Sequence, residues 1–145
     1  MAHPLKEAIA ILILVPLLDQ TCKLLVIRRL GNKAISLGRL GEVRSIQKPI
    51  WMARAWPALK PTTIWIFWLI AASALILLEV VCPATALFSA LILAGTLSHA
   101  IETSVRGSVC DYIALRFWPA FNLADVAITI GAVGLVMKIV MIAIR

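Results

Sequence analysis

Residues 61–81 read PTTIWIFWLIAASALILLEVV, with no charged side chain between Lys60 and Glu79. A helix needs roughly 20 predominantly apolar residues to cross the hydrocarbon of a bilayer, where only internal hydrogen bonds can satisfy the backbone. Three more segments meet the same test, at about 5–27, 83–101 and 123–144. The sequence therefore predicts one polytopic, all-α membrane domain over residues 1–145, with four transmembrane helices. A surface-lying loop between the first two helices has glycines (Gly31, Gly38, Gly41) and short apolar/polar alternations that allow turns and short β-strands.

Composition excludes a soluble fold. Of 145 residues, 62% are hydrophobic and 14% charged, far outside the soluble range. A body this small has too much surface for its volume to hide that apolar content from water. The first segment reads as a permanent span, not a cleavable signal peptide. No small-residue cleavage site follows its apolar core, and Leu24, Leu25, Val26 and Ile27 resume the helix after a polar cluster. Cys22, Cys82 and Cys110 are odd in number, scattered, and without CxxC spacing, which argues against a disulfide framework or a zinc site.

The net charge of +7 sits mainly in the loop after the first helix, at Arg28, Arg29, Lys33, Arg39, Arg44, Lys48, Arg54 and Lys60. Trp51 and Trp56 are interleaved with it, and tryptophan prefers the membrane–water boundary. A basic, aromatic segment tethered at both ends to a bilayer meets anionic lipid headgroups, not nucleic acid.

Cys82–Pro83 is a tight turn that makes the second and third helices antiparallel neighbours. Small residues recur every fourth position at Ala90, Ala94 and Ser98, and at Ala127 and Gly131. Such rows let helices approach closely where lipid supplies no hydrophobic drive. A polar hairpin over 102–122 returns to the membrane through Phe117, Trp118 and Pro119. Asn122 is placed to cap the fourth helix, with Asp125 at its third position.

Charges near membrane segments carry the functional signal. Asp19 and Lys23 stand four apart with the acid first, the spacing of a helix ion pair. Asp125 has an ordinary reason to open a helix, since an acid there complements the dipole. Asp111 has none: Val109, Cys110, Tyr112 and Ile113 bracket it, so it needs another partner, and Asp125 is the candidate. Two carboxylates meeting at a membrane surface can share one proton and activate water, the arrangement of aspartic proteases. The dipole of the fourth helix favours ionised Asp125, which leaves Asp111 as the proton carrier.

Three blocks carry a family resemblance. Asp19-Gln20-Thr21-Cys22-Lys23, Val109-Cys110-Asp111-Tyr112, and Phe117-Trp118-Pro119-Ala120-Phe121-Asn122-Leu123-Ala124-Asp125 resemble bacterial lipoprotein signal peptidase (signal peptidase II, an aspartic peptidase). The resemblance implies Asp111 and Asp125 as catalytic acids, with Asn122 a polar neighbour and Asp19 and Lys23 on a first-helix motif. It implies cleavage of diacylglyceryl-modified prolipoproteins before the lipidated cysteine, with no cofactor or metal. It places the chain in the bacterial inner membrane with both termini cytoplasmic. Cys82 would then face the cytoplasm and Cys110 would lie near the outer face. The positive-inside rule argues for the opposite orientation, because the basic loop would then be outside.

The departures fall on recognition. Where the family has Asn-x-Gly-Ala-Ala-Phe in its first loop, this chain reads Gln47-Lys48-Pro49-Ile50-Trp51. Where the family has Gly-Asn-x-x-Asp-Arg, it reads Ser98-His99-Ala100-Ile101-Glu102-Thr103. Asparagine has become His99, aspartate Glu102 and arginine Thr103, so a planar fork of donors is lost; Lys48 or Arg54 is placed to replace that cation. Candidate substrate-contacting residues are thus Asn122, His99, Glu102, Asp19, Lys48 and Trp51. The sequence points to a membrane aspartic endopeptidase acting on lipoprotein precursors or another membrane-anchored peptide. The alternative is a non-catalytic paralogue that holds lipidated or single-span segments in the same groove.

Overall fold

The computed structural model describes residues 4–48 and 60–144. In chain order it contains α1 (Pro4–Leu30), β1 (Ala34–Ser36), β2 (Gly41–Lys48), α2 (Pro61–Val81), a single 3-10 turn (Pro83–Thr85), α3 (Ala86–Arg106), β3 (Val109–Leu115) and α4 (Leu123–Ala143). Among the described residues, four segments are long and apolar enough to cross a membrane. Pro61 and Pro83 open their elements, at positions where the missing N–H leaves no bond unmade.

The centre of the bundle is α3, which packs on α4, α1 and α2. The small-residue rows explain how. Ala90, Ala94 and Ser98 are buried on α3, and Ala127 and Gly131 are buried on α4. A Cβ on Gly131 would stand 2.7 Å from the Phe88 carbonyl oxygen, and one on Gly95 2.6 Å from that of Ala124. Neither site has room for a larger residue, so backbone meets backbone along this seam. By contrast α2 leaves Ile66, Ile70 and Leu77 exposed, as a lipid-facing helix should.

Two boundaries differ from the hydropathy reading. The third helix runs to Arg106 rather than ending at 101, and the first runs to Leu30 rather than 27. Glu102 looked like the end of the apolar run. It is only 1% exposed, however, and is matched by Lys23 at 2.7 Å and Arg106 at 3.1 Å, so the helix continues through it. The stop is Gly107, whose φ of 68° supplies the left-handed cap.

The third difference is β3. Residues 109–115, expected to be hairpin, form a strand antiparallel to β2, giving the sheet order β1-β2-β3. Strands expected in the first loop alone are therefore completed by a strand far along the chain. The register runs Val43↔Ile113, then Ile46↔Asp111, with a bulge between. Two residues of β2 oppose one of β3 there, which re-aims the strand ends beyond it. The sheet sits at the end of the bundle reached by α1 and α3, opposite the Cys82 turn.

A candidate active site at the mouth of a membrane cleft

The site starts from the unsatisfied N–H groups that open α4. Leu123 N–H donates to the Tyr112 hydroxyl at 3.1 Å, Ala124 N–H to Asp19 Oδ1 at 3.2 Å, and Asp125 N–H to Asn122 Oδ1 at 3.0 Å. Val126 N–H reaches the Asn122 carbonyl at 3.3 Å. In return Asp125 Oδ2 accepts the Asn122 N–H at 3.0 Å, which completes a capping box. The helix end is thus fully partnered, and Asp125 is fixed at it. Burial pushes the Tyr112 phenol up from its usual value, so it stays protonated while it accepts from Leu123.

Asp111 lies on β3 and is 6% exposed. Its Oδ1 accepts from Asn122 Nδ2 at 2.8 Å, so Asn122 joins the two acids, one through its side chain and the other through its cap. Its Oδ2 pairs with Lys48 Nζ at 2.7 Å, and Lys48 also donates to the Ala120 carbonyl at 2.9 Å. The register explains the pair: Asp111 faces Ile46, and Lys48 stands two residues on along the same face. His99, on α3, brings Nε2 within 3.2 Å of Asp125 Oδ1.

Asp111, Asp125, His99, Lys48 and Thr103 share the mouth of a cleft of about 820 Å³. Below them the walls are apolar: Phe67, Trp68 and Leu75 of α2, Ile92 and Leu93 of α3, and Ile128 of α4. Trp68 Nε1–H donates to Thr96 Oγ1 at 3.2 Å across the α2–α3 side. Among the described residues no group of three or more His, Cys, Asp or Glu is placed to hold a metal ion.

Two candidate contact residues sit elsewhere. Asp19 and Glu102 do not line the cleft; both are closed inside the bundle, at 0% and 1% exposure. Lys23 joins them with contacts of 2.7 Å to each, and Ser98 Oγ donates to Asp19 at 2.6 Å. The same acids hold the site from behind. Asp19 accepts the N–H of Ala124, next to Asp125, and Glu102 accepts that of Cys110, next to Asp111, at 3.0 Å. Asn122 is likewise buried beneath the acids rather than open to the cleft. Trp51, with Arg54 and Trp56, lies outside the described residues.

Sequence reasoning placed Asp111, Asp125 and Asn122 together, and offered Lys48 only as a possible stand-in for a missing cation. It did not see that Lys48 pairs with Asp111, because strand register is not written in hydropathy. The reach of His99 to Asp125 had no local signal, because His99 stands inside α3 and sixteen residues, β3 among them, separate that helix from α4. Cys110, expected near the outer face, is fully buried. Burial also pushes its thiol up.

Comparisons with known proteins bear on the family and the fold. The family profile described as signal peptidase (SPase) II matches residues 11–141. A lipoprotein signal peptidase of Cellvibrio japonicus is 36% identical over 83 residues, covering 50% of this chain and 49% of that protein. One from Paraburkholderia phytofirmans is 50% identical over 52 residues, covering 33% of this chain and 30% of that protein. The matched segments thus span about half the length of these curated relatives or less. A bacterial membrane enzyme solved by the in meso method at 2.3 Å superposes with a TM-score of 0.76 at 22% identity, over 92% of this chain and 87% of that one. At that identity the likeness is one of fold. With nearly its whole length matched by the profile, the chain belongs to the signal peptidase II family.

Proposed function

We propose that this member of the signal peptidase II family is a membrane aspartic endopeptidase that cleaves signal peptides from lipidated prolipoproteins, or a retargeted membrane-anchored peptide. The observation that carries the reading is the placement of Asp111 and Asp125 at the mouth of one cleft, on either side of Asn122, above apolar walls. A lipidated single-span segment has the chemistry to lie along those walls and present its scissile peptide to the acids. One carboxylate takes a proton from water as the water oxygen attacks the peptide carbonyl; the protonated partner hydrogen-bonds that carbonyl. The helix dipole alone suggests Asp125 as the base. Lys48, 2.7 Å from Asp111 Oδ2, offsets negative charge at the pair, and the two acids act as one coupled unit. The chemistry needs no cofactor.

The proposed setting is the bacterial inner membrane with the sheet at its outer face. Lys33, Arg39 and Arg44 on and beside the β1–β2 hairpin are then available to anionic headgroups. One observation favours the non-catalytic alternative: Lys48 engages Asp111 at 2.7 Å, as a closed binding groove would allow. Incubating the purified protein with a lipidated pro-substrate, wild type beside Asp111→Asn, separates the two. The peptidase reading expects cleavage that vanishes in the variant. Lipopeptide binding without cleavage, indifferent to the substitution, makes the groove a holder.

A further inference from the structure

Along one face of α4, Ile130, Val133, Met137 and Met141 recur at helical spacing, and each keeps about half of its surface open. Phe88 of α3 lies beside them. Together they form a groove of about 610 Å³ that shares no residue with the cleft of the two acids. Gly134 makes its floor: a Cβ there would strike the Phe88 ring, so glycine is what lets the ring lie against this helix. The two methionines give the groove unbranched, flexible walls that adapt to an irregular apolar guest.

The groove is apolar except near its ends. At one end the Thr129 hydroxyl is spent on its own helix, donating to the Asp125 carbonyl at 2.8 Å. Near the other end stands Lys138. It is half-buried although Met137 and Ile139 on either side are exposed, and among the described residues no carboxylate pairs with it. Its depth follows from the helix seam. The antiparallel α3 and α4 meet with Phe88 against Gly131 and Gly134. Lys138, one turn further along α4, is therefore level with the Pro83–Thr85 turn, against which α4 also packs. The chain reverses there between two spans, which puts Lys138 at a membrane boundary. From Lys138 to Thr129 the helix rises about 14 Å, and the hydrocarbon of one leaflet is about 15 Å deep. The groove is one acyl chain long, with a cation where the chain ends and the headgroup begins.

We propose that this groove is a binding site for an anionic phospholipid, with one acyl chain along Phe88 and Gly134 and the phosphate on Lys138. The site is separate from the acid pair and stands whether or not the protein cleaves peptides. An ammonium beside hydrocarbon needs an opposite charge. A net-negative headgroup supplies it, whereas a choline headgroup brings a cation of its own. A second copy of the chain does not meet this need. Copies in one bilayer share one orientation, so a symmetric pair through this face sets Lys138 against Lys138 at the same depth.

The test is native mass spectrometry of the full chain released from detergent, titrated with phosphatidylglycerol or phosphatidylcholine of equal chain length. The wild type should retain one phosphatidylglycerol about fivefold more readily than phosphatidylcholine, the factor that about 1 kcal/mol per lysine at a charged surface gives. Lys138→Met keeps the stem without the charge and should bring the two lipids level, and Lys138→Arg should restore the preference. Val133→Trp, which fills the groove, should weaken retention of both lipids. Lys33→Met, beside β1, should leave the preference as it is in the wild type. Thermal unfolding reads the same site in solution: phosphatidylglycerol should raise the melting temperature of the wild type above its value in phosphatidylcholine, and should not do so in Lys138→Met. An unchanged preference in Lys138→Met, its loss in Lys33→Met instead, or undiminished retention in Val133→Trp overturns the proposal. So does a wild-type dimer that Val133→Trp dissociates, since a second copy then fills the groove.

Discussion

Lys23→Met is the substitution that asks most of the buried charge network. In the folded chain the ammonium is fully buried and stands 2.7 Å from both Asp19 and Glu102. Methionine fills nearly the same space and takes the charge away, so packing is largely kept. Two carboxylates then share the interior with one remaining cation, Arg106, which touches only Glu102. Breaking a buried pair from one side costs about 3–5 kcal/mol, because the partner is left charged and desolvated. For a chain of this size that corresponds to a fall in Tm of roughly 10 °C, on the general scale of a few degrees per kcal/mol.

The assay is thermal unfolding in detergent, followed in parallel for Lys23→Met, Glu102→Gln and the double variant. Glu102 keeps Arg106 as a partner, but removing its charge lessens the excess negative charge left in the interior, so Lys23→Met/Glu102→Gln should be more stable than Lys23→Met alone. Such non-additivity marks groups acting in one network. Function should follow by a separate route, since Asp19 holds Ala124 and Glu102 holds Cys110, the neighbours of the two acids. A wild-type melting temperature in Lys23→Met, or strict additivity in the double variant, would show that the network is not closed as described.

Other outcomes follow from the same geometry. Asp111→Asn and Asp125→Asn should each abolish cleavage without unfolding the protein, and the double variant should be no worse, because the acids act as one unit. Asn122→Ala should cost about 1 kcal/mol through the lost cap and more in rate, since Asp111 loses its 2.8 Å donor; a rate loss no larger than the stability loss refutes the bridging role. Lys48→Met should impair turnover and Thr103→Arg should restore part of it in that background, because Thr103 lines the same cleft mouth; no recovery in the double variant means the cation's position matters as well as its charge. For orientation, an impermeant thiol reagent on intact cells should label Ser36→Cys on exposed β1 in preference to Cys82, whereas buried Cys110 should stay silent; labelling of Cys82 alone inverts the topology.

The sequence made the spans legible because lipid imposes a single test, an apolar run of sufficient length, and 61–81 passes it without a charge before Glu79. It also made the α4 cap legible, since Asn122 and Asp125 are neighbours whose bonds are local. What it hid was non-local. Glu102 looked like the end of a helix because its charge was visible and its partner Lys23, on another helix, was not. The 109–115 strand could not be read because its partner is β2, more than sixty residues earlier by the register Ile46↔Asp111. The Lys48–Asp111 pair depends on that register and on the bulge before it, so no local pattern could announce it.

The departures implied by the resemblance can be set beside the partners these residues have. Where the resemblance implies arginine this chain has Thr103, whose hydroxyl turns back on its own helix to bond the His99 carbonyl, so that position sends no charge into the cleft. Lys48 arrives from the opposite wall, on β2, and gives Asp111 a cation. Where the resemblance implies asparagine this chain has His99, whose Nε2 stands 3.2 Å from Asp125 Oδ1. The aspartate-to-glutamate change lies out of the cleft, where the longer side chain spans Lys23, Arg106 and the Cys110 N–H together. The changes therefore sort by position. Those at the cleft mouth alter how charge is balanced around the two acids, and the one behind it keeps the same acids in place. Both acids, the asparagine that bridges them and the buried network behind them are all present together, which is the arrangement the peptidase reading proposed above draws on.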